Sequence, residues 1–246
     1  MNIKEKLQLG QEVYGTWCML PSPEVIDVIA KSGLDFVIID MEHGAMNYST
    51  AQQMTIAAQA EGCNAIVRTP RKDESNILKS LDIGSNGIII PHVNSKSEAN
   101  SCIQYAKYPP IGNRSYSPYT RCGGYKTNPN FFNISNKNSF VSIIIEDKEG
   151  LDNIESIVNN NFIDMVYIGT YDIASSLGCS VEDKQVLNEL ERCAKIIKKY
   201  NKSVGCLYHN KEELNFFQSI GVNFLVYGVD SRILYNEYSK IKSNGW

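Results

Sequence analysis

The sequence predicts a single-domain (β/α)8 barrel, and three observations carry that reading. Short apolar, β-branched runs alternate with helix-patterned segments eight times within 246 residues, as such a barrel requires. The runs are continuously apolar rather than alternating, which suits parallel strands buried on both faces. No run is followed by the GxGxxG turn that a doubly wound open sheet usually carries. No repeat, low-complexity tract or interdomain linker divides the chain, so residues 1–246 read as one domain.

The strands are expected at "VYGTWCML" (13–20), "DFVIID" (35–40), "NAIVRT" (64–69) and "GIIIPHV" (87–93). Four more follow at "FVSIIIE" (140–146), "DMVYIG" (164–169), "SVGCLYH" (203–209) and "NFLVYGV" (223–229). Between them, Ser22-Pro23-Glu24 supplies an N-cap, a first-turn proline and an acid at the positive end of a helix. "STAQQMTIAAQAEG" (49–62) runs from a serine cap to a glycine stop. "ESNILKSLDIG", "SKSEANSCIQYAKY", "LDNIESIVNN", "LNELERCAKIIKKYN", "KEELNFFQSIG" and "DSRILYNEYSKIK" complete the helices. Gly33, Gly62, Gly84 and Gly221 each stand where a left-handed C-terminal cap would end a helix.

One connection is too long for a plain link. Residues 109–139 are rich in Gly, Pro, Asn and Ser, with tyrosines and Arg114 and Arg121 interspersed. A stretch of that length inside a compact domain is commonly functional. It is expected to cover the active site or to contact another subunit; an ordinary surface excursion is the alternative.

Composition narrows the function. A formal charge of -3, with no basic block longer than Lys198-Lys199, gives no field for nucleic acid. Seven cysteines with no CxxC pair argue against a disulfide framework or a zinc cluster, and free thiols suit a reducing compartment. The first residues contain no apolar signal core, and no apolar run reaches membrane-spanning length. A cytoplasmic protein is expected.

Polar side chains gather where the predicted strands end. Asp40, Glu42 and His43 follow the second, Arg68 ends the third, His92 lies at the fourth and Glu146 ends the fifth. Asp172 stands just past the sixth, and His209 and Asp230 follow the seventh and eighth. The carboxyl ends of barrel strands face the rim where reacting groups collect. Structural alternatives stand beside these: Asp40, Asp172 and Asp230 could cap helices, and His92 and His209 could be satisfied core histidines. Glu146 follows Val141-Ser142-Ile143-Ile144-Ile145, where a carboxylate is costly unless paired, protonated or bound to a cation. Arg68 keeps its charge and needs an anion, either a neighbouring carboxylate or a substrate. Two carboxylates from neighbouring strand ends suit Mg²⁺ or Mn²⁺. Such a cation could chelate a 2-oxo acid and stabilise its enolate, with Arg68 adding charge and His43 moving protons. No lysine ends a strand, which argues against Schiff-base chemistry, and the usual barrel phosphate site is missing.

Taken in series, "GTWCMLPSP", "IIDMEHG", "VRTP", "LDIGSNGIIIPHV", "KYPPIGNR", "IIIED" and "YIGTYDIASSLG" resemble the HpcH/HpaI aldolase family over residues 14 to 230. The resemblance implies a barrel whose last helix is exchanged between subunits, giving dimers that assemble into hexamers. It implies a divalent cation (Mg²⁺ or Mn²⁺, with Co²⁺ admissible) held by Glu146 and Asp172. Arg68 matches the arginine that binds the 2-oxo acid, and His43 with Asp82 matches the acid/base pair. The amides around Gly169, Thr170 and Tyr171 match a turn that cradles the pyruvate carboxylate, while Arg114 and Arg121 lie in the loop expected to reach substrate. The implied reaction is reversible cleavage of a 4-hydroxy-2-oxo acid to pyruvate and an aldehyde.

Three departures bear on the electrophile. Ile144 stands where the family often has Gln, Arg114-Ser115 replaces Arg-Gly, and "SYSPYTRCGGY" differs from the loop of sugar-acid aldolases. A branch that condenses oxaloacetate with acetyl-CoA to citrate for siderophore assembly is the alternative reading; a non-catalytic scaffold is the third.

Overall fold

The structure, a computed structural model, describes residues 1–243, with side-chain surroundings described through Ile241. Eight parallel strands close into a barrel in sequence order. They are β1 (Val13–Cys18), β2 (Phe36–Asp40), β3 (Asn64–Arg68), β4 (Gly87–Ile90), β5 (Phe140–Ile145), β6 (Met165–Ile168), β7 (Ser203–Tyr208) and β8 (Phe224–Val229). The barrel closes where β1 pairs with β8, with a shift of register between Gly15 and Trp17.

The helices among the described residues are α1 (Ile3–Gln8), α2 (Pro23–Lys31), α3 (Tyr48–Ala60), α4 (Glu74–Asp82), α5 (Lys96–Ala106) and α6 (Phe131–Asn138). After β5 come α7 (Lys148–Val158), α8 (Thr170–Leu177), α9 (Lys184–Lys199), α10 (Lys211–Ser219) and α11 (Asp230–Ser243). Most begin on a side chain that takes a first-turn amide: Ser22 caps α2, Asp73 caps α4, Ser95 caps α5 and Asp147 caps α7. Asn47, rather than the expected Ser49, caps α3. Gly33, Gly62, Gly84 and Gly221 all have the positive φ that a left-handed helix stop needs.

Strand side chains alternate between two apolar compartments. Those facing out pack under the helices in two clusters, one around β4–β7 and one around β2, β3, α2 and α3. Those facing in fill the barrel: Trp17, Phe36, Ile38, Ile66, Ile89, Phe140, Ile144, Tyr167, Phe224 and Val226, with Ile3 and Leu7 of α1 closing the entry end. Phe36 and Phe224 stack at 4.0 Å between ring centroids. Gly15 makes room for that layer, because a Cβ there would lie 2.4 Å from the Phe36 ring.

The same two-residue period aims the site. Asp40 follows Ile38, Arg68 follows Ile66 and Glu146 follows Ile144, so each continues an inward-facing column past the apolar fill and into the barrel mouth. The connection at 109–139 is not structureless. It holds α6 and an aromatic cluster in which Tyr108 stacks on Phe132 at 4.7 Å and meets Tyr116 and Phe131 edge-on. It runs from the end of α5 to the start of β5, which places it at the entry end of the strands rather than over the mouth.

After its first turn, α11 leaves Leu234, Tyr235, Tyr238 and Ile241 exposed, and its packing within the chain is against β1 and β8. No helix among the described residues is long and apolar enough to cross a membrane.

Candidate active site

A pocket of about 190 Å³ opens at the carboxyl ends of the strands. His43, Arg68, Glu146, Gly169, Thr170, Tyr171 and Asp172 all line it, joined by Trp17, Asp40 and Tyr167. The expected cation ligands, arginine and imidazole therefore share one cavity.

Arg68 is the most constrained of them. Its Nε donates to Asp40 Oδ1 at 2.9 Å and its Nη2 to Asp40 Oδ2, while Nη1 lies 3.2 Å from Glu42 Oε2. The guanidinium carbon sits 4.4 Å above the Trp17 ring, and Trp17 Nε1 donates to the Tyr167 hydroxyl at 3.0 Å. Burial works against the Arg68 charge, but Asp40, Glu42 and Glu146 outweigh it and hold the guanidinium above its ordinary value. Asp40 also accepts the amides of Glu42 and His43, which bends the chain after β2 and delivers His43 to the pocket.

Glu146 is buried at the end of β5. Burial pushes its carboxyl above the usual carboxylate range; His92 opposes the rise, while Glu42 and Asp172 add to it. Asp172 lies exposed in the first turn of α8, not at its cap. That helix starts after Gly169 with no side-chain cap, so its first amides are free to receive a carboxylate. Gly169 is required by close approach: a Cβ there would lie 2.7 Å from the Cβ of Glu146.

Among the described residues no three His, Cys, Asp or Glu side chains form a metal cage. The donor set fits a hard cation of the Mg²⁺ type all the same. Such ions take one or two protein carboxylates and fill the remaining positions with water and substrate oxygens, and Glu146 and Asp172 face one cavity as a buried and an exposed carboxylate.

Three expected site residues lie elsewhere. Asp82 ends α4, just before β4, and its Oδ1 accepts from Arg114 Nη2 at 2.6 Å. Arg114 is buried over the Tyr108 ring, and Arg121 donates to Gln59 near the end of α3. Gln59 in turn donates to Gly84 and Asn86 before β4. All three therefore sit at the entry end of the strands, opposite the pocket, because a helix that follows a barrel strand returns to that end. Within one chain Asp82 does not support His43, and neither loop arginine reaches the pocket.

The structure adds Trp17 and Tyr167 and gives the remaining strand-end residues their partners. Glu42, Asp40, Trp17 and Tyr167 build the arginine's seat. His92 is no core histidine: its side chain is 56% exposed, with Nε2 2.9 Å from Glu42 Oε1 and Nδ1 2.9 Å from Glu146 Oε1. Asp230 caps no side of the pocket; it accepts the amides of Met19, Leu20 and Ser231 and ties the exit of β1 to α11. His209 accepts or donates a 2.8 Å hydrogen bond with the Tyr171 hydroxyl, at the edge of an adjoining groove of about 780 Å³.

The fold and the pocket define a (β/α)8 enzyme with an arginine and a pair of carboxylates at the carboxyl rim. Residues 13–236 match the model of the HpcH/HpaI aldolase/citrate lyase family, and the chain belongs to that family. It is 28% identical to a 5-keto-4-deoxy-D-glucarate aldolase of Klebsiella pneumoniae subsp. pneumoniae, over 97% of this chain and 94% of the relative. It is 29% identical to a pyruvate aldolase of Rhizobium etli, over 95% and 92% respectively. Among solved structures, the citrate synthase SbnG superimposes with a TM-score of 0.91 at 31% identity, covering 99% of this chain and 96% of that one. An HpcH/HpaI aldolase from Desulfitobacterium hafniense DCB-2 gives 0.93 at 26% identity, with 99% and 96% covered.

Proposed function

We propose that this protein is a class II aldolase that reversibly cleaves a 4-hydroxy-2-oxo acid to pyruvate and an aldehyde. The observation that carries the reading is the single pocket shared by Arg68, His43, Glu146 and Asp172 at the barrel mouth. Glu146 and Asp172 would hold Mg²⁺ or Mn²⁺, which when bound supplies Lewis-acid polarisation of the 2-oxo group. The amides at the start of α8 receive the substrate carboxylate. Arg68, fixed by Asp40 and Glu42 before any substrate arrives, presents its charge where the 2-oxo oxygen becomes negative. His43, exposed in the pocket, takes the proton from the 4-hydroxyl as the C3–C4 bond breaks; the bonding pair passes into the enolate, and C3 then takes a proton from solvent to give pyruvate. In the reverse direction it returns that proton to the new alkoxide.

The relatives' names support cleavage to pyruvate, and the family description covers aldolases and citrate lyases alike. Asp82 can pair with a histidine at a pocket only across a subunit contact, because its own chain holds it at the opposite end. The exposed Leu234, Tyr235, Tyr238 and Ile241 of α11 give a second reason to propose a homo-oligomer, with that helix exchanged in a dimer-based hexamer. A cytoplasmic location and a 2-oxo acid as the small-molecule partner complete the proposal.

The test is pyruvate release from a panel of 4-hydroxy-2-oxo acids, abolished by EDTA and restored by Mn²⁺ or Mg²⁺. Citrate-type condensation of oxaloacetate with acetyl-CoA is the second reading, favoured by the 31% identity to SbnG and by the groove that opens past Tyr171 and His209. Thiol release from acetyl-CoA with oxaloacetate, and no pyruvate from any panel member, would select it. Silence in both assays would leave a scaffold.

A further inference from the structure

We propose that His92 is a positioning residue that fixes Glu146 so that only one of its carboxylate oxygens is offered to the cation. This rests on the cation reading above and deepens it. His92 follows Pro91 at the exit of β4 with φ +56°, a left-handed conformation that non-glycine residues seldom adopt. That backbone turn brings the His92 amide and one ring nitrogen onto the same atom. The His92 amide donates to Glu146 Oε1 at 2.6 Å, and ring Nδ1 lies 2.9 Å from the same oxygen. Among the described residues the hydrogen bond to Glu146 goes to Oε1, while Oε2 faces Gly169, where a Cβ would lie 3.4 Å from it.

The far side of the ring is anchored as well. His92 Nε2 meets Glu42 Oε1 at 2.9 Å, and the other Glu42 oxygen faces Arg68. The imidazole thus spans from the arginine's carboxylate seat to the cation's carboxylate, and it sets the distance between them. Because the ring is half-exposed and does no core packing, its contribution is to hold direction rather than to fill volume. Residues that orient a metal ligand typically change affinity or activity by about 10–100-fold when removed.

Three variants separate the ring's two contacts. His92→Gly accepts the left-handed backbone and removes both. His92→Asn also tolerates that backbone and keeps a donor near the Nδ1 position, on the Glu146 side. His92→Gln keeps a polar nitrogen near Nε2, on the Glu42 side, and loses the ring contact with Glu146. Mn²⁺ binding is read from the free-ion paramagnetic resonance signal in a titration of purified protein, with thermal unfolding recorded for each variant. The expected result is an Mn²⁺ Kd raised about 10–100-fold in the Gly and Gln variants and largely restored in Asn. Equal Kd values in all four proteins, or Gln restoring binding where Asn does not, would overturn the assignment. Tighter binding in the Gly variant would do so too, since His92 would then be competing with the cation. Failure of the wild type to bind Mn²⁺ would instead refute the cation reading on which this rests.

Discussion

Replacing Arg68 with methionine tests two consequences of one geometry. The guanidinium is largely buried, makes two hydrogen bonds to a buried Asp40, lies against Glu42 and rests on Trp17. Removing it leaves Asp40 without its counter-charge, and breaking a buried pair from one side costs about 3–5 kcal/mol. In a domain of this length each kcal/mol moves the Tm by about 2–4 °C, so a fall of roughly 6–20 °C is expected. Chemistry suffers separately: loss of one preorganised group at a developing oxyanion lowers kcat by about 10²–10³. The second change, Asp40→Asn, removes the stranded charge. The double variant Arg68→Met/Asp40→Asn should recover much of the lost Tm and none of the lost kcat. Thermal unfolding and steady-state pyruvate release on the same preparations read both. A kcat within about threefold of wild type, with only KM raised, would refute the oxyanion role. A Tm unmoved by the single change would refute the paired-charge account.

Other expectations follow from the same coordinates. Glu146→Gln and Asp172→Asn should each abolish Mn²⁺-restorable activity after EDTA treatment, with a smaller change in Tm than Arg68→Met; full activity in either would remove that residue from the cation site. Alkaline pH should destabilise the fold: burial pushes Cys63, Cys102 and Cys193 up to about 12 and also raises Cys18 and Cys206, while it pushes Lys107 down to about 8 and lowers Lys202. The thiols' stability is fully present below their unfolded value near 8.5 and is lost above it, whereas the lysines' cost is relieved as pH rises toward their unfolded value near 10.4, for Lys107 from about 8. The five thiols outnumber the two lysines, so the Tm should fall between pH 8.5 and 10, and a flat or rising Tm would contradict this balance. Gly15→Ala should cost about 1–3 kcal/mol or more by urea unfolding, because its Cβ would meet the Phe36 ring and carbonyl at 2.4 Å.

The barrel was legible because its strands are buried on both faces, so "FVIID" and "FVSIII" read as predominantly apolar runs without polar alternation. Their ends were less so. The run at 87–93 stops pairing at Ile90, since Pro91 offers no donor and His92 turns left-handed. The helix at Phe131–Asn138 hides in an Asn-rich stretch whose Asn130 makes no cap bond. In the site, a charged residue two positions past an inward apolar one was a sufficient signal for Arg68 and Glu146. His92 stood out only as a polar residue at a strand end, with a core histidine as the alternative, because its contacts depend on a backbone conformation that histidine seldom adopts. Asp82 shows the reverse. It closes a helix that precedes a strand, and barrel topology alone sends such a residue to the entry end. Family resemblance names its partner histidine but not the chain that supplies it.

Charge balance at the mouth connects these points. Asp40, Glu146 and Asp172 line the cavity and Glu42 stands against Arg68, so four carboxylates gather around one guanidinium. Adding a proton to both His43 and His92 would still leave the cluster one unit negative. A 2-oxo acid, itself an anion, gains little by entering such a cavity on Arg68 alone, since Asp40 and Glu42 already neutralise that guanidinium. A divalent cation between Glu146 and Asp172 reverses the sign, offsets the burial cost carried by Glu146 and gives the anion a reason to bind. Binding should therefore be ordered, with Mn²⁺ first. Pyruvate should protect the protein against thermal unfolding when Mn²⁺ is present and not when EDTA is. Equal protection under both conditions would mean that the arginine and the α8 amides suffice, and the electrostatic case for the cation would fall.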